Sequence, residues 1–348
     1  MAVETKIVAV PDRKTIQNAA EILARGGLVA FPTETVYGLG GNGLNADSCA
    51  KIYEAKGRPS DNPLILHLAC PEDAEKYAVT CPMYYKLAMA FMPGPLTVIL
   101  KKKAIVPDKA TGGLDTVALR VPAHPVAAAL LSACDFPIAA PSANTSGRPS
   151  PTCLEHVAED LDGRIEMILG GGDCEIGVES TIVMIDGEDL TLLRPGAVTP
   201  EMLSCLCRSL SVDPALERPL EDGTAPLAPG MKYKHYAPRA KVLLLDGTEE
   251  DVLAYMEQKL KEDQSVGILC SQKQAGALHG RNVISYGDEK EEEAKRLFAC
   301  LREFDHRSDV QTIFAPMPSK NGIGLAVYNR LAKAAGFSVI NVKGEEHG

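Results

Sequence analysis

Short apolar runs broken by Pro and Gly alternate with stretches of helical period along most of this chain. In residues 12–27, Ile16, Ala20, Leu23 and Ala24 share one helical face and Gly26-Gly27 closes the segment, so the pattern predicts a helix. Residues 28–31 read as a buried strand, and residues 47–56 as a second helix. Runs over 64–69, 96–100, 116–121, 136–140, 166–169 and 180–185 have the length and the flanking turns of strands. Segments 71–78, 83–91, 126–134, 152–161 and 200–210 read as helices. Together these predict a mixed α/β domain over residues 1–210.

Residues 211–239 are rich in proline and poor in periodic apolar positions, and read as a linker. Its end, Ala228-Pro-Gly-Met-Lys-Tyr-Lys-His-Tyr-Ala-Pro238, carries two tyrosines, a histidine and two lysines, which a plain spacer does not need. From residue 240 the pattern alternates regularly. Strands are expected over 242–245, 266–270, 283–286, 312–315 and 338–342, and helices over 249–261, 290–304 and 323–335. That alternation predicts a smaller, Rossmann-like parallel α/β domain over residues 240–348.

Composition narrows the class. The chain has 348 residues, 45% of them hydrophobic, and a mean hydropathy of −0.03. That fits a soluble globular protein, and no apolar run approaches a membrane span. The first residues lack the layout of a signal peptide. Ten cysteines stand without a C-x-x-C pair, which suits reduced thiols in a cytoplasmic protein rather than a disulfide framework or zinc site. A net charge of −10 argues against a general nucleic-acid coat protein, though not against a local basic cleft.

The candidate chemistry is a split constellation at the ends of predicted strands. One half is Lys56-Gly-Arg58-Pro-Ser-Asp-Asn62-Pro-Leu-Ile-Leu-His67, and the other is Pro141-Ser142-Ala-Asn144-Thr-Ser-Gly-Arg148-Pro-Ser150. Together they read K-x-R and S-x-N. Lys56 and Arg58 alone fit a solvated helix C-terminus, where cations are favoured. With Asn62, His67, Arg120, Ser142, Asn144, Arg148 and Arg194 added, several cations and hydroxyls gather at strand ends and suit a polyanion such as a triphosphate. His67 reads equally as a satisfied core histidine.

Other motifs carry less. Gly38-Leu-Gly40-Gly-Asn-Gly43 matches G-x-G-x-x-G, but the next helix starts late and no ribose-binding acid follows, so a glycine-rich turn lining a cleft is the better reading. There is no P-loop. Ser180 lacks a G-x-S-x-G elbow. Glu34 and Glu179 are too isolated for a glycosidase pair.

Five motifs in order carry a family resemblance: Phe31-Pro-Thr-Glu-Thr-Val-Tyr-Gly-Leu-Gly, the Lys56 motif, Phe91-Met-Pro-Gly-Pro-Leu-Thr, Pro141-Ser-Ala-Asn-Thr-Ser-Gly and Gly177-Val-Glu-Ser-Thr-Ile-Val. They resemble the YrdC-like family. Gly322-Ile-Gly-Leu-Ala-Val-Tyr-Asn-Arg-Leu resembles the extra C-terminal domain of that family's long form, so the likeness spans essentially the whole chain. It implies a twisted, open, mixed N-terminal sheet. It also implies a nucleotidyl transfer, in which L-threonine, bicarbonate and ATP give L-threonylcarbamoyl-AMP and pyrophosphate, with Mg²⁺ accompanying ATP. A separate complex would then pass the threonylcarbamoyl group to an adenosine beside the tRNA anticodon.

Residue by residue, the resemblance implies that Thr35, His67, Arg120, the backbone at Ala140, and Ser180 hold threonine. It implies that Arg58, Asn62, Thr116, Ser142, Ser150, Arg194 and Tyr236 hold ATP. Lys56, Arg58, Ser142 and Asn144 would form the catalytic signature. Met92 stands where the family has an aromatic residue, which reads as a packing change. Because the carbamate and the mixed anhydride hydrolyse easily, residues 232–236 are expected to fold over the cleft as a lid. Two rival readings are an RNA-binding module with a basic cavity and a hydrogenase-maturation carbamoyltransferase. The acidic total and the lack of aromatic platforms oppose the first. The second needs zinc-finger-like cysteine pairs and an acylphosphatase segment, which are not visible.

Overall fold

The computed structural model describes residues 3–216, 218, 226–229 and 235–342. The chain divides into two compact units: Met1–Ser146 with Ser150–Tyr233, and Gly147–Pro149 with Lys234–Gly348.

The first unit is built on one mixed sheet. Its strands are β1 (Lys6–Val8), β2 (Val29–Phe31), β3 (Gly38–Asn42), β4 (Ile65–His67), β5 (Leu96–Lys101), β6 (Thr116–Arg120), β7 (Ile138–Ala139), β8 (Met167–Leu169), β9 (Thr181–Asp186), β10 (Asp189–Arg194) and β11 (Leu210–Val212). They lie in the order β1-β8-β2-β3-β7-β4-β6-β5-β9-β10-β11, open at both edges. Helix Arg13–Ala24, capped by the Asp12 carboxylate on Thr15 N at 2.7 Å, buries Ile16, Ala19, Ala20 and Leu23. It packs with Ala127, Leu130 and Leu131 of helix Pro125–Ser132 over Val29, Phe31, Ile138 and Leu169. Further along the sheet, the linker residues Ala215 and Ala228 pack on Ile65, Ile99, Ala118 and Ile182. Such apolar burial contributes about 25 cal/mol per Å² removed from water.

The expected elements are present within a few residues, with these main differences. The glycine-rich segment is not a turn but β3, paired antiparallel with both β2 and β7. Both its faces are covered so closely that a Cβ at Gly40 would meet Ile138 and Phe31 at 2.8 and 2.9 Å, and one at Gly41 would meet Ser48 at 2.7 Å. The glycines are there for packing, which removes the dinucleotide motif. An unexpected strand, β10, returns antiparallel along β9 through a two-residue Gly187-Glu188 turn, with Gly187 at φ 61°. The expected helix over 200–210 stops at Ser204, and Leu210–Val212 leaves the linker to pair parallel with β10. Residues 6–8 form a further strand, β1, because β8 supplies their partners.

The second unit contains five parallel strands among the described residues: β12 (Lys241–Asp246), β13 (Val266–Cys270), β14 (Val283–Ser285), β15 (Thr312–Pro316) and β16 (Val339–Asn341), in the order β14-β13-β15-β12-β16. Helices Glu249–Glu262, Gln272–Ala277, Lys290–Asp305 and Gly324–Ala334 connect them, the second being one that the pattern did not single out. Leu245, Val252, Met256, Ile268 and Phe314 lie in its core.

Residues Gly147–Pro149 belong to this unit through the fully buried Arg302, whose Nε and Nη2 donate to Pro149 O at 3.1 and 2.7 Å. Arg148 pairs with Asp305 at 3.4 Å. The sequence groups Arg148 with the phosphate-facing cations, but its charge is engaged here. Among the described residues no helix is long and apolar enough to cross a membrane.

Candidate active site

Strand register places the key side chains in one row. His67 of β4 lies opposite Arg120 of β6, Arg120 opposite Thr97 of β5, Thr97 opposite Ile182 of β9, and Ile182 opposite Arg194 of β10. Residues in register point to the same face of a sheet. Four strand steps make the row roughly 19 Å long. Ser180, two residues before Ile182, shares the face; its Oγ lies 2.8 Å from Thr97 Oγ1 and accepts from Arg194 Nη2 at 3.0 Å. Arg194 Nε also donates to Ser180 O at 2.9 Å. Thr35, fully buried before β3, pairs its hydroxyl with that of Thr33 at 2.8 Å.

Arg120 is the centre of the row. It is buried, and its Nη2 donates to Glu34 Oε1 at 2.6 Å, while its Nε has no partner. Burial works against the Glu34 charge, but the Arg120 guanidinium and the Ala123 N–H hold its carboxyl below the usual range. Glu34 is thus a site residue that the sequence reading set aside as an isolated acid. Its signal was its place inside the Phe31 motif.

His67 is 3% exposed, with Nδ1 3.2 Å from Ile65 O and its ring edge-on to Phe31. Burial, and then the neighbouring Arg120, pull its pKa down to about 3. It is neutral at pH 7, and such a weak base cannot hold an ammonium proton there. It is both a buried core histidine and a wall of the row.

The other half of the constellation gathers at the opposite ends of β4 and β6. β7 runs antiparallel to β4, with Leu66 opposite Ala139, so after Ala140 the chain turns toward the end where Asn62 enters. Ala140 N donates to Ile65 O at 2.9 Å. Thr116 opens β6 at this same end, four residues or roughly 13 Å from Arg120.

Lys56 ends helix Ala46–Lys56, and Gly57, at φ 62°, turns the chain away. Its Nζ is buried and donates to Ser142 O and Asn144 O, both at 2.5 Å, and to Asn144 Oδ1 at 3.3 Å. Ser142 Oγ donates to Asn144 Oδ1 at 2.5 Å. The signature lysine and the S-x-N turn are therefore one hydrogen-bonded unit. Arg58 reaches back to Asn62 O and Pro63 O, at 3.4 and 3.2 Å.

Asn62 is 1% exposed, and neither its Oδ1 nor its Nδ2 has a partner. A buried amide left unmade costs about 1–3 kcal/mol. Ser150 Oγ donates to Glu179 Oε1 at 2.5 Å, a second acid the sequence left unassigned. Tyr236 lies in the second unit, buried, at φ 66°, with its ring 5.2 Å from Phe298 and beneath the Arg330 guanidinium. Most of the expected lid, residues 232–234, lies outside the described residues. Among the described residues no three His, Cys, Asp or Glu side chains converge as a metal cage.

Two family descriptions match the chain. The Sua5, YciO and YrdC family, described as "Telomere recombination", matches residues 21–196, and "Threonylcarbamoyl-AMP synthase, C-terminal domain" matches residues 198–336. A threonylcarbamoyl-AMP synthase of Pyrococcus abyssi is 47% identical over 332 residues, covering 94% of this chain and 96% of its own length. One of Bacillus subtilis is 46% identical, covering 93% of this chain and 94% of its own length. The crystal structure of P. abyssi Sua5 complexed with L-threonine superposes with a TM-score of 0.90 at 43% identity, covering 99% of this chain and all of that one.

Proposed function

The chain belongs to the Sua5, YciO and YrdC family in the form that carries the threonylcarbamoyl-AMP synthase C-terminal domain, and on that premise we propose how its residues divide the work. The enzyme is an L-threonylcarbamoyladenylate synthase, an adenylyl-transferring enzyme. The threonine amine adds to bicarbonate with loss of water, giving a carbamate. The carbamate oxygen then attacks the α-phosphorus of ATP, and pyrophosphate leaves.

The observation that carries the division of roles is a pair of buried polar groups short of partners: the Arg120 Nε at one end of β6, and the Asn62 amide at the end where Thr116 and the S-x-N turn lie. Buried polar groups normally find partners, which supports reading these two as ligand contacts. At the first end, Arg120 binds the threonine carboxylate through the edge that Glu34 leaves, with Thr35, His67, Ser180 and the Ala140 backbone as walls. The P. abyssi structure complexed with L-threonine supports threonine as the ligand, without assigning these residues. At the second end, Asn62, Arg58, Thr116 and Ser142 hold ATP, joined from the threonine side by Ser150, which bonds Glu179 beside Ser180. Arg194, hydrogen-bonded to Ser180, stands toward the threonine side and faces the anion formed as the two meet. Both reactants are anionic, so these cations offset their repulsion and their fixed geometry supplies much of the rate.

His67 acts as a neutral hydrogen-bonding wall. A Mg²⁺ would enter on the ATP phosphates, with their oxygens and the Ser142 and Asn144 side-chain oxygens as its donors. The product then passes to a tRNA-modifying complex.

Two measurements test this reading. Pyrophosphate release from ATP requires both threonine and bicarbonate, with serine a poor substitute; release with neither added overturns it. Replacing the unpartnered amide in Asn62→Leu raises the KM for ATP at least about tenfold, while the ligand-free protein melts no lower than the wild type, because no hydrogen bond is lost. A clear drop in melting temperature with an unchanged KM removes Asn62 from the site.

A further inference from the structure

The turn that carries Ser142 and Asn144 is tied down by both backbone and side chains. Ala143 N donates to Tyr37 O and Ser146 N to Lys56 O, both at 2.8 Å. Side chains hold the peptide between Asn144 and Thr145. On its carbonyl side, Asn144 O accepts from Lys56 Nζ. On its amide side, Thr145 N donates at 3.1 Å to Asp160 Oδ2, from helix Leu154–Leu161. The two atoms belong to one planar group and point in opposite directions. A single peptide dipole is therefore clamped between a buried cation and a buried anion, each charge on the end that attracts it.

Asp160 breaks two local rules to be there. It is 4% exposed, and burying a carboxylate is costly. It also stands in the last turn of its helix, at the negative end of the helix dipole, where an acid is disfavoured. Positions that break local rules in this way are expected to be functional or strained sites.

We propose that Asp160 is a positioning residue for the adenylation step, acting as the counterpart of Lys56 across the Asn144–Thr145 peptide. Its carboxylate fixes the rotation of that peptide. The rotation in turn sets where Asn144 and the Ser142 hydroxyl bonded to it present themselves to the nucleotide. Asp160 touches neither substrate. The inference rests on the reading above that the S-x-N turn holds ATP.

The test is steady-state kinetics and threonine binding by calorimetry on the full chain, for Asp160→Ala, Asp160→Asn and Ser142→Ala, with thermal melting alongside. Asp160→Ala is expected to raise the KM for ATP roughly ten- to thirtyfold, with threonine affinity within about twofold of wild type. Asp160→Asn keeps an acceptor oxygen in the same place without the charge, and is expected to recover part of that loss. Adding Asp160→Asn to Lys56→Met should cost less than it does in the wild type, because the clamp is already open.

An ATP KM within about twofold of wild type in Asp160→Ala overturns the proposal. So does a parallel fall in ATP and threonine affinities that tracks a lowered melting temperature, which is the mark of a merely structural carboxylate. If Asp160→Ala does not fold, Asp160→Asn alone decides by the same criteria. Ser142→Ala separates the two levels. If it leaves the ATP KM unchanged, the assignment of the turn itself fails; if it raises that KM and the Asp160 variants do not, only the clamp fails.

Discussion

Arg120→Met is expected to abolish threonine-dependent pyrophosphate release, with kcat/KM for threonine falling about 10²–10³-fold or more, the scale of one lost preorganised charge contact. Methionine fills the space but offers the threonine carboxylate nothing. The same change strands Glu34, which is buried and loses its ion-pair partner. Breaking one side of a buried pair costs about 3–5 kcal/mol, whereas replacing both sides with neutral groups is often close to neutral. Arg120→Met with Glu34→Gln should therefore recover most of the stability and none of the activity. Stability read by denaturant titration and activity read by pyrophosphate release would then separate cleanly. Recovery of activity in the double variant would show that Arg120 serves only to neutralise Glu34.

Lys56→Met is expected to cut adenylate formation at least about a hundredfold. The physical cause differs from the usual one for a signature lysine. Its ammonium bonds Ser142 O and Asn144 O, so its removal leaves two carbonyls in a buried turn without their donor. The loss should fall on ATP, with threonine binding by calorimetry little changed, because Arg120 and Ser180 are untouched. Lys56→Arg should not rescue, since the site is 1% exposed and a guanidinium is larger and planar. Equal losses of ATP and threonine binding would instead mean that the whole sheet end has collapsed.

The motifs were legible in the sequence as lists of residue types, and the strands and helices as periods. The division of labour was not. His67, Arg120, Thr97 and Arg194 stand in one row only because β4, β6, β5, β9 and β10 pair in a particular register. Register is a long-range property that no local pattern states. Lys56 reads as a phosphate-facing cation until the fold shows which carbonyls it meets. Gly38–Asn42 has little strand propensity, and forms a strand because neighbours on both sides leave room only for hydrogen. Glu34 carried a signal only through its place in the Phe31 motif, and Asp160 carried none; burial distinguishes both.

In sequence the second unit begins inside the first. Gly147–Pro149 depends on Arg302, 153 residues downstream of Pro149, and on Asp305. During synthesis, the stretch between Asn144 and Ser150 must wait for those side chains long after the sheet strands have left the ribosome. At roughly 5–20 residues per second, the interval from residue 210 to residue 305 is about 5–20 s. The segment joining Asn144 to Ser150 is thus among the last parts of the enzyme to be finished. A nascent chain stalled before residue 302 should contain a folded sheet in which the stretch between Asn144 and Ser150 is still unsettled.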